Sequence, residues 1–245
     1  MKKVACIEAR YNSSRLPGKM FKPIFGKPLL QRVIERVAKS KLIDEIIIAT
    51  STNKCDERII DLAKEMKIKV YRGSENNVLE RVIFANTKNK SDLIIEICGD
   101  CPLIDFKLID IGINEYFKKN CDIVNCGYVG SYPQGLDFLI LKRELLANSY
   151  KFCNDSVYRE HVGLFFLENQ SDFKIIFLKP PKKLNFPELR FQVDYIEDLR
   201  FVRNIYEGLI PSFGEDFTTN EIIDYLMVNK DLLRINNKCL EKPVR

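Results

Sequence analysis

The chain reads as an α/β protein, a three-layer sandwich in which helices cover both faces of a mostly parallel, Rossmann-like sheet. Two observations carry that expectation. KVACIEA (3–9), EIIIATS (45–51), KIKVYRG (67–73) and DLIIEICG (92–99) are short apolar runs rich in β-branched residues, the pattern of strands buried on both faces. Between them, apolar residues recur at helical spacing: Leu29, Leu30, Val33, Ile34 and Val37, then Ile59, Ile60, Ala63 and Met66, then Val78, Leu79, Val82 and Ile83. Strand and helix in alternation imply parallel pairing.

The later elements follow by the same reasoning. A helix with Ile109, Ile113 and Phe117 leads to a strand-like run, DIVNCGYV (122–129). Beyond it the pattern loosens. DFLILK (137–142) reads as strand, residues 155–168 as helix and FKIIFLK (173–179) as strand, while LRFQVD (189–194) leads into a helix at about 196–208 and a mostly helical remainder. The proline-rich KPPKKLNFP (179–187) is expected to be a loop and not a domain linker, because too little chain follows it to fold alone. A single domain over residues 1–245 is expected, regular to about residue 127 and less regular from about 128.

Composition narrows the function. A content of 46% hydrophobic and 30% charged residues suits a soluble globular protein. Thirty-nine basic against 34 acidic residues leave a mild charge of +5, which permits an anionic ligand without suggesting an extended nucleic-acid surface. No tract approaches the roughly 18 apolar residues of a membrane span, and MKKVACIEAR turns charged before a signal-peptide core could form. The expectation is a cytoplasmic protein without nucleic-acid or membrane partners. Among the eight cysteines, Cys6, Cys98 and Cys126 sit in or beside apolar runs and behave as small hydrophobes. Cys98 and Cys101 followed by Cys121 and Cys126 loosely match a zinc-ribbon spacing, but the second pair is too widely spaced for a tight knuckle and Cys98 ends a buried strand, so structural zinc is not expected.

In folds of this class, ligands bind outside the carboxyl ends of the strands. The four strand exits here are Glu8-Ala9-Arg10, Thr50-Ser51-Thr52-Asn53, Arg72-Gly73-Ser74-Glu75-Asn76-Asn77 and Gly99-Asp100, all polar and small. The first opens a stretch from Ala9 to Ile34 without a carboxylate, in which Arg10, Arg15, Lys19, Lys22, Lys27 and Arg32 are interleaved with glycines and prolines. Fixed cations on a restrained backbone suit phosphate oxygens. The stretch is not a Walker loop, because Ser13 stands where that motif needs glycine and Met20 where it needs Ser or Thr.

The segment ARYNSSRLPGKMFKPIFGKPLLQRVIERV resembles the signature of the CMP-sugar synthetases, the cytidylyltransferases that activate 3-deoxy-2-keto sugar acids. It is closer still to the spore-coat polysaccharide biosynthesis protein F (SpsF) branch of that superfamily. The resemblance continues, in order, through IDEIIIATSTN, VYRGSENNVLERV, ICGDCPLID, YPQGLDF, YREHV and RFQVDYIEDLRFVRNIYE. It implies the nucleotide-diphospho-sugar transferase type of fold, with a nucleotide-binding half (about 1–127) and a half (about 128–245) for the acceptor, the second metal ligand and dimerisation. It also implies transfer of CMP from CTP to a sugar-type acceptor, with Mg²⁺ as cofactor and a homodimeric assembly.

By that resemblance, Arg15 and Lys19 hold the β- and γ-phosphates of CTP with Arg10 in support, and Ala9, Ser13 and Ser14 let backbone approach the nucleotide. Asp100 and Asp194 match the family's metal-binding aspartates. Ser51, Arg72, Gly73, Ser74 and Asn77 face cytosine or ribose. Gln134 and Asp137 read acceptor hydroxyls, and Arg159 and His161 meet its acid or phosphate. Some of these residues have structural rivals. Asp194 with Glu197 forms a D-x-x-E capping box, and Asn77 with Glu80 an N-x-x-E one. Glu80 and Arg81 read as helix-surface charges. Other functions stay open: nucleotidylyl transfer to a phosphorylated acceptor, glycosyl transfer from a sugar nucleotide (although no Asp-x-Asp motif occurs), or nucleotide binding alone.

Overall fold

The computed structural model describes residues 1–127 and 132–240. Its first half winds as the alternation predicts. Strand β1 (Lys3–Glu8) leads through a small hairpin, β2 (Pro23–Ile24) and β3 (Lys27–Pro28), into helix α1 (Leu29–Val37). Then come β4 (Glu45–Ser51), α2 (Glu57–Glu65), β5 (Lys69–Gly73), α3 (Val78–Lys88), β6 (Leu93–Cys98), α4 (Phe106–Lys119) and β7 (Ile123–Cys126). The second half adds β8 (Phe138–Lys142), short helices α5 (Arg143–Ser149), α6 (Ser156–Glu160) and α7 (Leu164–Glu168), strand β9 (Ile175–Phe177), and helices α8 (Ile196–Phe213) and α9 (Thr219–Val228).

Seven strands form one sheet in the order β5-β4-β1-β6-β8-β7-β9. The pairs β1–β4, β1–β6, β4–β5 and β7–β9 are parallel, whereas β8 runs antiparallel to both β6 and β7. Successive side chains of a strand point to opposite faces, which splits the interior in two. Ala5 and Ile7 pack with Val33 of α1, Ile109 of α4 and Val202 of α8. Val4 and Cys6 pack on the other side with Val78 and Val82 of α3 and Leu146 of α5. Those are the three expected layers.

Where the structure departs from the sequence reading, local chemistry explains it. The helix expected over 155–168 is two helices, because Gly163 adopts φ 89° and the chain turns between His161 and Gly163. Of the run expected as strand over 173–179, Ile175–Phe177 forms the strand, and Lys174 and Leu178 on either side also make backbone hydrogen bonds to the β7 segment. The last strand of the first half stops at Cys126, and Tyr128 and Val129 lie outside the described residues. Arg81 is no surface charge: it is 2% exposed, and its guanidinium donates to the carbonyls of Ser74 and Glu75. It shares the Val78–Val82–Ala85 stripe of α3, so its burial follows from helical spacing.

Candidate active site

The site forms where β1 and β6 end side by side. At Gly99 a Cβ would stand 2.5 Å from the Glu8 carbonyl oxygen, so only glycine lets the two exits approach this closely. The approach places Asp100 beside the basic loop. Opposite, the backbone N–H of Val193 donates to the Asp100 carbonyl (2.9 Å), bringing Asp194 to the same edge. Lys19, in the short helical turn after Gly18, reaches across the gap.

Lys19 is 6% exposed, and its ammonium donates to Asp100 Oδ2 (2.7 Å), Asp194 Oδ1 (2.8 Å) and the Val193 carbonyl (3.0 Å). Arg15 pairs with the same Asp194 oxygen at 2.6 Å and lies over the Tyr195 ring. The other oxygen, Asp194 Oδ2, accepts from Arg190. Arg190 also donates to Asp198 and to Gln134 Oε1 (2.7 Å). Gln134 donates to Gln192 (3.0 Å), and Gln192 donates to Asp100 Oδ2 (3.3 Å), which closes a ring of polar contacts.

The electrostatics favour charge in every member of this cluster whose titration is displaced. Burial works against the Lys19 ammonium, but Asp100 and Asp194 outweigh it and hold its pKa above the ordinary value. Burial likewise opposes the Asp194 carboxylate, and Lys19 and Arg15 overcome it, holding its pKa below the ordinary value. Two hard carboxylate oxygens already converge on one cation, so Asp100 and Asp194 fit a divalent metal of the magnesium or manganese type once Lys19 moves away.

The capping box assigned to Asp194 and Glu197 is displaced by one residue. Tyr195 is the N-cap of α8, and Asp198 accepts from the backbone N–H groups of both Asp194 and Tyr195. The Asp194 side chain is therefore free of capping duty and faces the cations. At α3 the capping pattern is real: Asn77 accepts from the Glu80 N–H at 3.1 Å. Arg10 pairs with Glu160 of α6 at 2.6 Å. Ser13 accepts from the Leu16 N–H, and Ser14 is exposed.

At the second and third strand exits, the Ser51 hydroxyl donates to buried Asp56, while Arg72 donates to the carbonyls of Ser51, Thr52 and Asn53. Ser74 accepts from the Asn77 N–H, next to Gly73 at the end of β5. Asp137 accepts from the Gly135 N–H (2.7 Å), Arg159 donates to the Cys153 carbonyl (3.2 Å), and His161 is exposed at the end of α6. Sequence reasoning missed Asp56, Arg190 and Gln192. The signal for the last two was the alternation in LRFQVD, which puts Arg190, Gln192 and Asp194 on one side of an extended segment.

A basic loop at the first strand exit facing two carboxylates from later segments defines a nucleotidyltransferase. The model of the cytidylyltransferase family matches residues 4–200, so the chain belongs to that family of CTP-dependent nucleotidyltransferases, which generally depend on a divalent metal. It is 32% identical over 246 residues to an uncharacterized protein of Methanocaldococcus jannaschii, covering 100% of this chain and 98% of that one. It is 29% identical over 232 residues to the spore coat polysaccharide biosynthesis protein SpsF of Bacillus subtilis, covering 92% and 94%. A cytidylyltransferase structure from Leptospira borgpetersenii has a TM-score of 0.89 at 26% identity, covering 96% and 97%.

Proposed function

We propose that the protein transfers the cytidylyl group of CTP to a hydroxyl of a sugar or sugar-acid acceptor, releasing pyrophosphate, for the synthesis of a surface polysaccharide or related glycoconjugate. The convergence of Asp100 and Asp194 on Lys19 carries this reading. Similarity to the Bacillus subtilis spore-coat protein supports the polysaccharide assignment. In this reading the enzyme is a cytoplasmic homodimer that uses Mg²⁺.

Such a reaction depends on alignment and on neutralising phosphate charge. Arg15 and Lys19 grip the β- and γ-phosphates, with Arg10 beside them, and in doing so leave Asp194. Asp100 and Asp194 would hold the magnesium ion, which would supply charge neutralisation on the phosphate oxygens. Arg190 and Gln192 keep the two carboxylates in place. Ala9, Ser13 and Ser14 let the backbone approach the nucleotide. Ser51, Arg72, Gly73, Ser74 and Asn77 form the cytosine and ribose side. Gln134 and Asp137 read acceptor hydroxyls, and Arg159 and His161 meet its acid or phosphate. The acceptor oxygen bonds to the α-phosphorus, the bond to the bridging oxygen breaks, pyrophosphate leaves, and the hydroxyl proton passes to solvent.

Mass spectrometry after incubation with CTP, Mg²⁺ and a mixture of nonulosonic and 3-deoxy sugar acids tests the proposal. A CMP conjugate with matching pyrophosphate release is the expected result. A product retaining two phosphates on cytidine replaces it with transfer to a phosphorylated acceptor. Tight CTP binding with no turnover of any acceptor reduces the protein to a nucleotide-binding module.

A further inference from the structure

Resting on the metal-binding role just proposed for Asp194, we infer that Asn236, which follows α9, is a positioning residue for that carboxylate and acts through Arg190 and Asp198. The segment that carries it is well anchored. Leu232, Leu233 and Ile235 pack against the core. The Ile235 N–H donates to the Leu232 carbonyl and the Cys239 N–H to the Asn236 carbonyl, both at 3.0 Å, so the chain turns on either side of Asn236. The residue is 6% exposed. Its amide nitrogen carries two hydrogens, and each has an acceptor: the Arg190 carbonyl at 3.0 Å and Asp198 Oδ1 at 2.9 Å. Nearby, the Tyr195 hydroxyl donates to the Leu240 carbonyl at 3.4 Å. The end of the chain is thus tied to the segment that presents Asp194.

Asp198 is the hub of that tie. It is fully buried, its Oδ2 accepts from the backbone N–H groups of Asp194 and Tyr195 at 3.0 Å, and the Arg190 Nε–H reaches both of its oxygens at 3.2 Å. A carboxylate is planar, so anchoring Oδ1 on Asn236 sets the direction of Oδ2, and with it the backbone from which the Asp194 side chain departs. Arg190 is one positive charge divided between Asp198 and Asp194. The neutral donor from Asn236 satisfies part of Asp198, which leaves the two terminal nitrogens of the guanidinium for Asp194 Oδ2 and Gln134. Without that donor, a buried charged oxygen loses a partner and draws Arg190 toward itself, at the expense of Asp194. Groups that orient a metal ligand from behind commonly contribute tenfold to a hundredfold in metal affinity.

Calorimetric titration of the protein with CTP, once with Mn²⁺ and once with EDTA, tests the inference; the ratio of the two affinities is the gain due to metal. Asn236→Leu keeps the size of the side chain and neither hydrogen bond. It is expected to lower that gain by about tenfold and to leave CTP affinity in EDTA unchanged. Asn236→Asp, which exchanges donors for acceptors beside Asp198, is expected to lower it further. Ile235→Ala is the structural control: removing core packing from the same segment should reduce Tm and preserve the gain. Should both Asn236 variants fail to fold by melting curve, Asn236→Ser, which keeps one donor, decides by the same ratio. A gain undiminished in the folded Asn236 variants, or an equal loss in Ile235→Ala, overturns the inference and leaves the metal role of Asp194 standing. Equal CTP affinity with Mn²⁺ and with EDTA in the wild type overturns that metal role, and this inference with it.

Discussion

Lys19 and Lys27 belong to the same carboxylate-free segment, and each touches two acidic side chains, yet their surroundings differ. Lys19 lies buried between Asp100 and Asp194 at strand exits. Lys27 is about a third exposed, between Glu35 of α1 and Glu215 beyond the end of α8. Its neighbour Arg32 is buried and donates to the carbonyls of Ile24 and Phe25 as well as to Glu215, pinning the small hairpin. Carboxylate partners hold both lysines above their ordinary pKa against the opposing effect of burial. Electrostatics alone therefore does not separate the lysine proposed to meet nucleotide from a structural one. What surrounds the cation does: Lys19 faces side chains that can be handed to a metal, whereas Arg32 is bonded to backbone that has nowhere else to go.

The sharpest break of this contrast is Lys19→Met, expected to lower kcat/KM by about a hundredfold to a thousandfold, as loss of one preorganised donor to developing charge does. Steady-state kinetics with CTP, alongside a melting curve, checks it; near-normal activity would put Lys19 with Lys27. Arg32→Met should do the reverse. Stranding the hairpin carbonyls is expected to cost about 2–4 kcal/mol of stability by urea titration, with kcat of the folded fraction unchanged.

Glu8 and Glu96, whose carboxyl oxygens lie within 4.8 Å of each other at the ends of β1 and β6, sharpen the contrast from the other side, because burial of Glu8 outweighs the charge of Arg81. The folded pKa of Glu8, about 7, lies above its unfolded value, so its contribution to stability is full in acid and is lost as pH rises through 7. Between pH 5 and pH 8 the wild type is expected to lose on the order of 2–3 kcal/mol relative to the Glu8→Gln/Glu96→Gln double variant. Parallel denaturation curves across that range would contradict it. Smallest of all is Lys27→Met, whose partly exposed pairing with Glu35 and Glu215 is worth about 0–1 kcal/mol. A Tm loss as large as that of Arg32→Met would erase the distinction between the two.

The regular half of the fold was legible because each of its strands is a continuous apolar run and each helix shows an apolar stripe. In the second half, elements are short and depend on tertiary partners. Nothing local announces that Gly163 breaks a helix or that the strand proper of its run is as short as Ile175–Phe177. At the site, the loop cations and the two aspartates were visible as motifs. Their mutual contact was not, because it depends on Gly99 drawing two strands together and on Val193 docking against Asp100. The sequence offered only Asp194 with Glu197 as a capping box, and Tyr195 with Asp198 was not visible because tyrosine is not a usual N-cap residue. Arg190 holds the Asp194 side chain on the side of the cations.

The backbone link from Val193 to Asp100 has a consequence for how the protein is made. A nascent chain that has left the ribosome only as far as β7 already owns the basic loop and the first aspartate, but the second is still untranslated. On the roles proposed for Asp100 and Asp194, competence arrives only once residue 194 has been made and docked, and an unfinished copy would lack the grip with which to withdraw nucleotide from the cell's pool.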